Sequence, residues 1–210
     1  MENILISGNP TATDMLFQAV DERSLASIGE EAEFLSSLTD REFCLTAVVV
    51  DDWFCDLSPW KAPAAFGNNS FGDGADRTLL YIKGLCTDTC KRYYLAGYSL
   101  SGLFALWAAY QTDIFKGVAG ASPSMWFPGF NTYMKKHDIR CDSVYLSLGD
   151  REKKTKNKIM ATVDDCIRNA YDLLKSNGTD CFFEYNRGNH FTDVDKRCAR
   201  AFAWLLNGSC

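Results

Sequence analysis

Short apolar runs rich in β-branched and aromatic residues recur along the chain, separated by stretches whose apolar positions fall three and four residues apart. LTAVVV ends at Val48-Val49-Val50, and YYLA covers Tyr93 to Ala96. GVAGA spans Gly117 to Ala121, VYLSL Val144 to Leu148, and CFFEY Cys181 to Tyr185. Each has the length and composition of a β-strand. Helices are predicted over Ala32 to Leu38, Asp76 to Cys86, and Leu100 to Tyr110. The third is apolar on nearly every side, which predicts a buried helix. The longest runs from about Lys156 to Lys175, where Ile159, Val163, Cys166, Ala170 and Leu174 mark one face and Asn177-Gly178 is the stop signal. A last helix carries Phe202, Leu205 and Leu206. Strands alternating with helices predict an α/β class: a mostly parallel central sheet with helices on both faces, in three layers. Reactive groups in such sheets gather at the carboxyl ends of the strands. Asp51 to Gly74, rich in Pro, Gly and Asn, reads as a long ordered loop over those ends.

Length and charge narrow the picture. The 210 residues are expected to form a single domain, 1–210, with a substantial core. A formal net charge of −5 argues against nucleic acid as a partner, since phosphate binding needs clustered Lys and Arg. The one basic run, Arg151 to Lys158, reads as a solvated helix start. MENILISGNPTATD lacks the basic and apolar regions of a signal peptide, and no apolar stretch is long enough to span a bilayer. No membrane partner and a cytoplasmic location are therefore expected. Nine scattered cysteines, an odd number, do not form a disulfide framework. Cys86 and Cys90 could share a helix face, but no His is near them. Buried free thiols are the plainer reading, and neither metal nor cofactor is expected.

The chemistry concentrates around Ser99. The strand YYLA runs into Gly97-Tyr98-Ser99-Leu100-Ser101-Gly102, and a buried helix follows. A tight strand-to-helix turn strains the central Ser and lifts its Oγ clear of the sheet. The helix N-terminus offers N–H groups to a developing oxyanion. Gly is usual at the fifth position of G-x-S-x-G; here Ser101 stands there and Gly follows at 102. A serine nucleophile needs a base. Of two histidines, His137 sits in the polar segment MKKHDIR. His190 follows the strand CFFEY and precedes the last helix, in a loop at the end of the last strand. The acid belongs after VYLSL, where Asp150 and Glu152 both lie. Either could hold the imidazole tautomer.

Four stretches carry a family resemblance: GYSLSG with Ser99, ASPSMWF at 121–127, LSLGDRE at 146–152 and GNHF at 188–191. They are spread over the region from the strand before Ser99 to the last helix, about half of the chain, and the chain resembles the α/β-hydrolases that include esterase D, enterochelin-type esterases and feruloyl esterases. The resemblance implies Glu152 as the acid, from a G-x-x-[DE] pattern. It implies cofactor-free hydrolysis of esters of small or aromatic acids. The family's usual His-Gly oxyanion turn, expected after its third strand, is missing where Asp51-Asp52-Trp53 follows LTAVVV. By position, one oxyanion donor is Leu100 N–H and the other a backbone N–H near Asp52 or Trp53.

The expected reaction is therefore hydrolysis of a small soluble ester through an acyl-enzyme on Ser99. His190 serves as base and Glu152 orients it. Among loop aromatics at the expected edge of the site, Trp53, Trp60, Tyr98, Trp126 and Phe127, the substrate contacts are assigned to Tyr98, Trp126 and Phe127. A thioesterase or acyltransferase would use the same triad. A non-catalytic binding protein of the same fold is the alternative from another class.

Overall fold

Seven strands form one sheet among residues 4–208, the residues that the computed structural model describes: β1 (Ile4–Gly8), β2 (Asp14–Val20), β3 (Phe43–Val49), β4 (Arg92–Tyr98), β5 (Phe115–Ala121), β6 (Ser143–Gly149) and β7 (Asp180–Asn186). The first three residues of MENILISGNPTATD and Cys210 lie outside the described residues. The order is β1-β3-β2-β4-β5-β6-β7. β1 is antiparallel to β3, and every other pairing is parallel.

The inner strands are apolar at nearly every position because both faces are covered. Successive side chains feed two separate cores. Phe17, Val48, Leu95, Val118 and Leu146 point to one. Leu16, Val49, Ala96, Ala119 and Tyr145 point to the other. The first core packs against α3 (Ala75–Leu85), α4 (Leu100–Gln111) and α6 (Val163–Ser176). The second packs against α1 (Ile28–Ser36) and α7 (Val194–Asn207). Three layers result. Leu103, Phe104 and Leu106 of α4 have no exposed surface, and burying each such side chain stabilises the fold by about 1.5–3 kcal/mol. Among the described residues, no helix is long and apolar enough to cross a membrane.

Several elements depart from the sequence reading. β1 is an exposed edge strand without alternation, and β2 is interrupted by polar Gln18; neither was expected. α1 starts at Ile28, four residues before the expected Ala32. The 51–74 loop contains a short helix, α2 (Trp53–Asp56). The helix expected from Lys156 starts only at Val163. Asn157 prevents the earlier start: its Oδ1 accepts from the Ile159 and Met160 N–H groups, and its Nδ2 donates to Ala65 O. Ile159 is accordingly exposed, off the buried stripe. Arg151 to Lys158 is turn and loop, not a helix start. Cys86 caps the end of α3 while Cys90 lies in the following turn, so they share no helix face.

Gln18 meets α1 at a buried carboxyl. Gln18 Nε2 donates to Glu31 Oε2 at 3.4 Å, and Glu31 Oε1 and Gln18 Oε1 have no hydrogen-bond partner among the described residues. Burial pushes the Glu31 carboxyl up to about 8; the Gln18 bond opposes this, and Asp195 adds to it. Unfolded, the group ionises near 4.5, so its contribution to stability is full below that pH and lost as pH rises through about 8. Urea denaturation is expected to show wild-type stability falling between pH 5 and 9, with a flatter profile for Glu31→Gln. Parallel profiles would remove Glu31 as the cause.

Candidate active site

Ser99 alone separates β4 from α4, at φ 57° and ψ −120°. L-residues rarely occupy this region. A Cβ on Gly97 would lie 2.2 Å from Ser101 Oγ and 2.4 Å from the Ser101 carbonyl carbon. Only glycine permits that approach, and it makes room for Ser at the fifth motif position. Ser101 Oγ donates to Ala19 O at 2.7 Å, which ties α4 to the end of β2. On the other side, Ser99 N–H donates to Ala121 O at 3.1 Å, and Ser99 O accepts from Ser124 N–H at 3.0 Å. Ser99 Oγ has Ser124 Oγ as its hydrogen-bond neighbour, at 3.3 Å. Among the described residues it makes no hydrogen bond to the imidazole.

His190 lies in a tight loop between β7 and α7. Gly188 turns the chain at φ 116°, where a Cβ would strike Thr192 at 2.6 Å. Asn189 Oδ1 accepts from Phe191 N–H, and Asn189 N–H donates to Thr192 Oγ1. His190 Nδ1 sits 2.7 Å from Glu152 Oε2. The other oxygen, Oε1, accepts from Ser122 Oγ at 2.7 Å, Gly149 N–H at 2.7 Å and Arg197 Nη1 at 3.3 Å. Burial on its own would raise the Glu152 carboxyl. The hydrogen bond and charge of His190, with Ser122 and Gly149, outweigh it and hold the group below its ordinary value. Asp150 does not reach the imidazole; its Oδ1 accepts from Gly188 N–H at 2.9 Å and braces the histidine loop. His137 is exposed and stacks on Tyr133 with ring centroids 4.0 Å apart.

The other expected site residues divide. Leu100 opens α4, and its N–H has no partner among the described residues. Trp126 lines a cavity of about 260 Å³ together with Glu152, His190, Met160, Val163 and Phe191. Phe127 is a correction: it is 2% exposed and packs edge-on against Phe71 and Trp60, in the core. Tyr98 is a second. Its hydroxyl donates to His190 O at 2.6 Å and accepts from Arg197 Nη1 at 3.0 Å. Burial pushes its phenol up to about 12, so it remains a donor that braces the loop. Trp53 is a third. It follows β3, which is separated from β4 by β2. Asp52 and Asp56 carboxylates fasten the turn there. The strand end beside Ser99 is that of β2. Its pairing of Gln18 with Ala96, continued in register, brings Asp21 opposite Ser99.

Solved structures similar to the chain include the enterobactin esterase of Shigella flexneri, at 14% identity over 97% of this chain with a TM-score of 0.65. The chain spans only 55% of that protein's length. The monoacylglycerol lipase of Paleococcus ferrophilus matches at 16% identity, all of both chains and a TM-score of 0.61. The fluorophosphonate-binding serine hydrolase F of Staphylococcus aureus matches at 12% identity, 98% of both chains and a TM-score of 0.64. The chain has the α/β-hydrolase fold. No family model and no curated protein matches it.

Two further residues of this α/β-hydrolase fold escaped the sequence reading. Arg197 is 1% exposed and joins Tyr98, Ser122, Glu152 and the Arg187 carbonyl. Ser122, at φ 46°, bridges Arg197 to Glu152. A signal for Arg197 exists: Val194, Arg197, Ala201 and Leu205 share one stripe of α7. A cation on an apolar stripe points to a buried, paired charge.

Proposed function

We propose that the chain is a serine carboxylic-ester hydrolase acting through Ser99, His190 and Glu152. The observation that carries the reading is the 2.7 Å Glu152–His190 pair, taken with a serine held at φ 57° on a strand-to-helix turn. The likeness in fold to an enterobactin esterase, a monoacylglycerol lipase and a serine hydrolase supports the same chemistry.

Ser99 Oγ attacks the ester carbonyl carbon while His190 Nε2 takes its proton. For this, Oγ turns from Ser124 to the imidazole; such bonds are often loose before substrate binds. Glu152 holds the Nδ1–H tautomer and stabilises the imidazolium. Leu100 N–H donates to the oxyanion. The second donor is assigned to the Asp21 N–H at the end of β2 rather than to Trp53. His190 then protonates the leaving alcohol, and water attacks the acyl-enzyme with His190 again as base. The 260 Å³ cavity accommodates a compact ester. The described cysteines are all free and five are buried, which favours a reducing compartment such as the cytoplasm.

The test is labelling with a fluorophosphonate, with the adduct mapped by mass spectrometry, alongside turnover of p-nitrophenyl acetate and butyrate. An adduct on Ser99 with turnover of either ester is expected. Absence of both would leave the fold without this activity. Added thiol or alcohol acceptors separate hydrolysis from acyl transfer by their products.

A further inference from the structure

Within the proposed site, we infer that the substrate carries an anionic group on a compact apolar body, recognised by Arg151 and Lys154. The inference rests on the ester-hydrolase reading and names its substrate class.

The cavity beside His190 has two chemistries in its walls. Trp126, Met160, Val163 and Phe191 are apolar; Arg151 and Lys154 are cationic. The Arg151–Lys158 segment places five cations in eight residues on a chain whose net charge is −5. It is a fastened loop. Arg151 N–H donates to Gly188 O at 3.1 Å, two residues before His190. Lys153 pairs with Asp164 at 2.9 Å, and Asn157 reaches Ala65 O at 2.6 Å. Asp164 also takes Arg168 and the Tyr185 hydroxyl, and its carboxyl is held down at about 2.

These anchors occupy the Asp164 carboxylate. Arg151 and Lys154 form no ion pair among the described residues. The one carboxylate in the cavity wall, Glu152, already has both oxygens occupied by His190, Ser122, Gly149 and Arg197. An anionic substrate therefore meets two cations without an ion-pair partner beside the apolar surface of Trp126, Met160, Val163 and Phe191. A neutral ester of the same shape gains only the apolar contact. A carboxylate suits the guanidinium in particular, which donates two parallel hydrogen bonds to it.

Two probe pairs test this, each differing by one carboxylate. On the acyl side, 4-nitrophenyl succinate monoester is compared with 4-nitrophenyl butyrate. On the alcohol side, 4-acetoxybenzoate is compared with 4-acetoxytoluene. In one pair the charged ester is expected to have roughly tenfold higher kcat/KM at low salt, carried by KM, as two partly solvated ion pairs allow. Raising the salt to about 1 M shortens the screening length to about 3 Å and should erase most of that preference. R151Q/K154Q should collapse the charged-to-neutral ratio, and R151E/K154E should invert it. The salt response of the wild type stands without any variant. A wild type that labels with fluorophosphonate and hydrolyses both members equally, at every salt concentration, overturns this inference alone. A wild type that neither labels nor turns over any of the four esters overturns the ester-hydrolase reading and this inference together.

Discussion

Ser99→Gly is expected to stabilise the protein while removing its activity. The backbone at Ser99 has φ 57° and ψ −120°, a conformation glycine adopts freely and a residue with a Cβ does not. Such a conformation costs about 1–3 kcal/mol and persists because the surroundings impose it. Here those surroundings are the Ser99 N–H bond to Ala121, the Ser124 N–H bond to Ser99 O, and the close passage of Gly97 over Ser101. Glycine relieves the strain but adds some unfolded-state entropy, so a net gain of about 1 kcal/mol is expected, or a Tm higher by about 2–4 °C. Ser99→Ala is the control. It removes the same hydroxyl and its contact with Ser124 but keeps the Cβ, and it should not gain. Both variants should lose fluorophosphonate labelling, with kcat lower by a factor of about 10⁴ or more. Calorimetry reads the first effect and ester turnover the second. Equal Tm values for Gly and Ala would mean that no strain is stored at Ser99.

How much of this site was legible before the fold was known follows the range of the interactions involved. The turn at Ser99 is local: a β-rich run, Gly97, and a helix apolar on every side are contiguous in the sequence. The same holds for Glu152 and His190, each placed by the strand before it. The resemblance implied Glu152 rather than Asp150; in the fold Asp150 bonds Gly188 while Glu152 bonds His190. What was not legible depends on distant partners. Phe127 sits next to site residues in the chain, yet its side chain packs in the core under Trp60 and Phe71; Tyr98 packs behind His190, with its hydroxyl on the His190 carbonyl and Arg197. Trp53 was misplaced because strand order is not chain order: β2 inserts between β3 and β4. Arg197 reads as a solvated charge until its carboxylate, its hydroxyls and the Arg187 carbonyl come together.

Replacing Glu152 by Gln should reduce kcat by a factor of about 10³ to 10⁴ with little change in KM, because the shape survives and the tautomer does not. A carboxylate at Oε2 accepts a hydrogen bond from His190 Nδ1–H and leaves Nε2 free to take a proton from Ser99. An amide NH₂ in that place donates to Nδ1, moves the ring proton to Nε2, and removes the base. Asp150→Asn keeps an acceptor for Gly188 N–H and should cost less than about tenfold. A larger loss at Asp150 than at Glu152 would reassign the acid. Stability against pH gives an independent reading. The Glu152 carboxyl is held below its ordinary 4.5 in the fold, so the unfolded chain binds its proton first as pH falls. Its stabilising contribution is present above that value and is lost as pH drops through the lower folded value. Urea denaturation between pH 6 and 3 should therefore show a steeper fall for wild type than for Glu152→Gln. The same slope in both would mean that the His190, Ser122 and Gly149 bonds do not favour the ionised carboxylate, and the tautomer argument would fail with them.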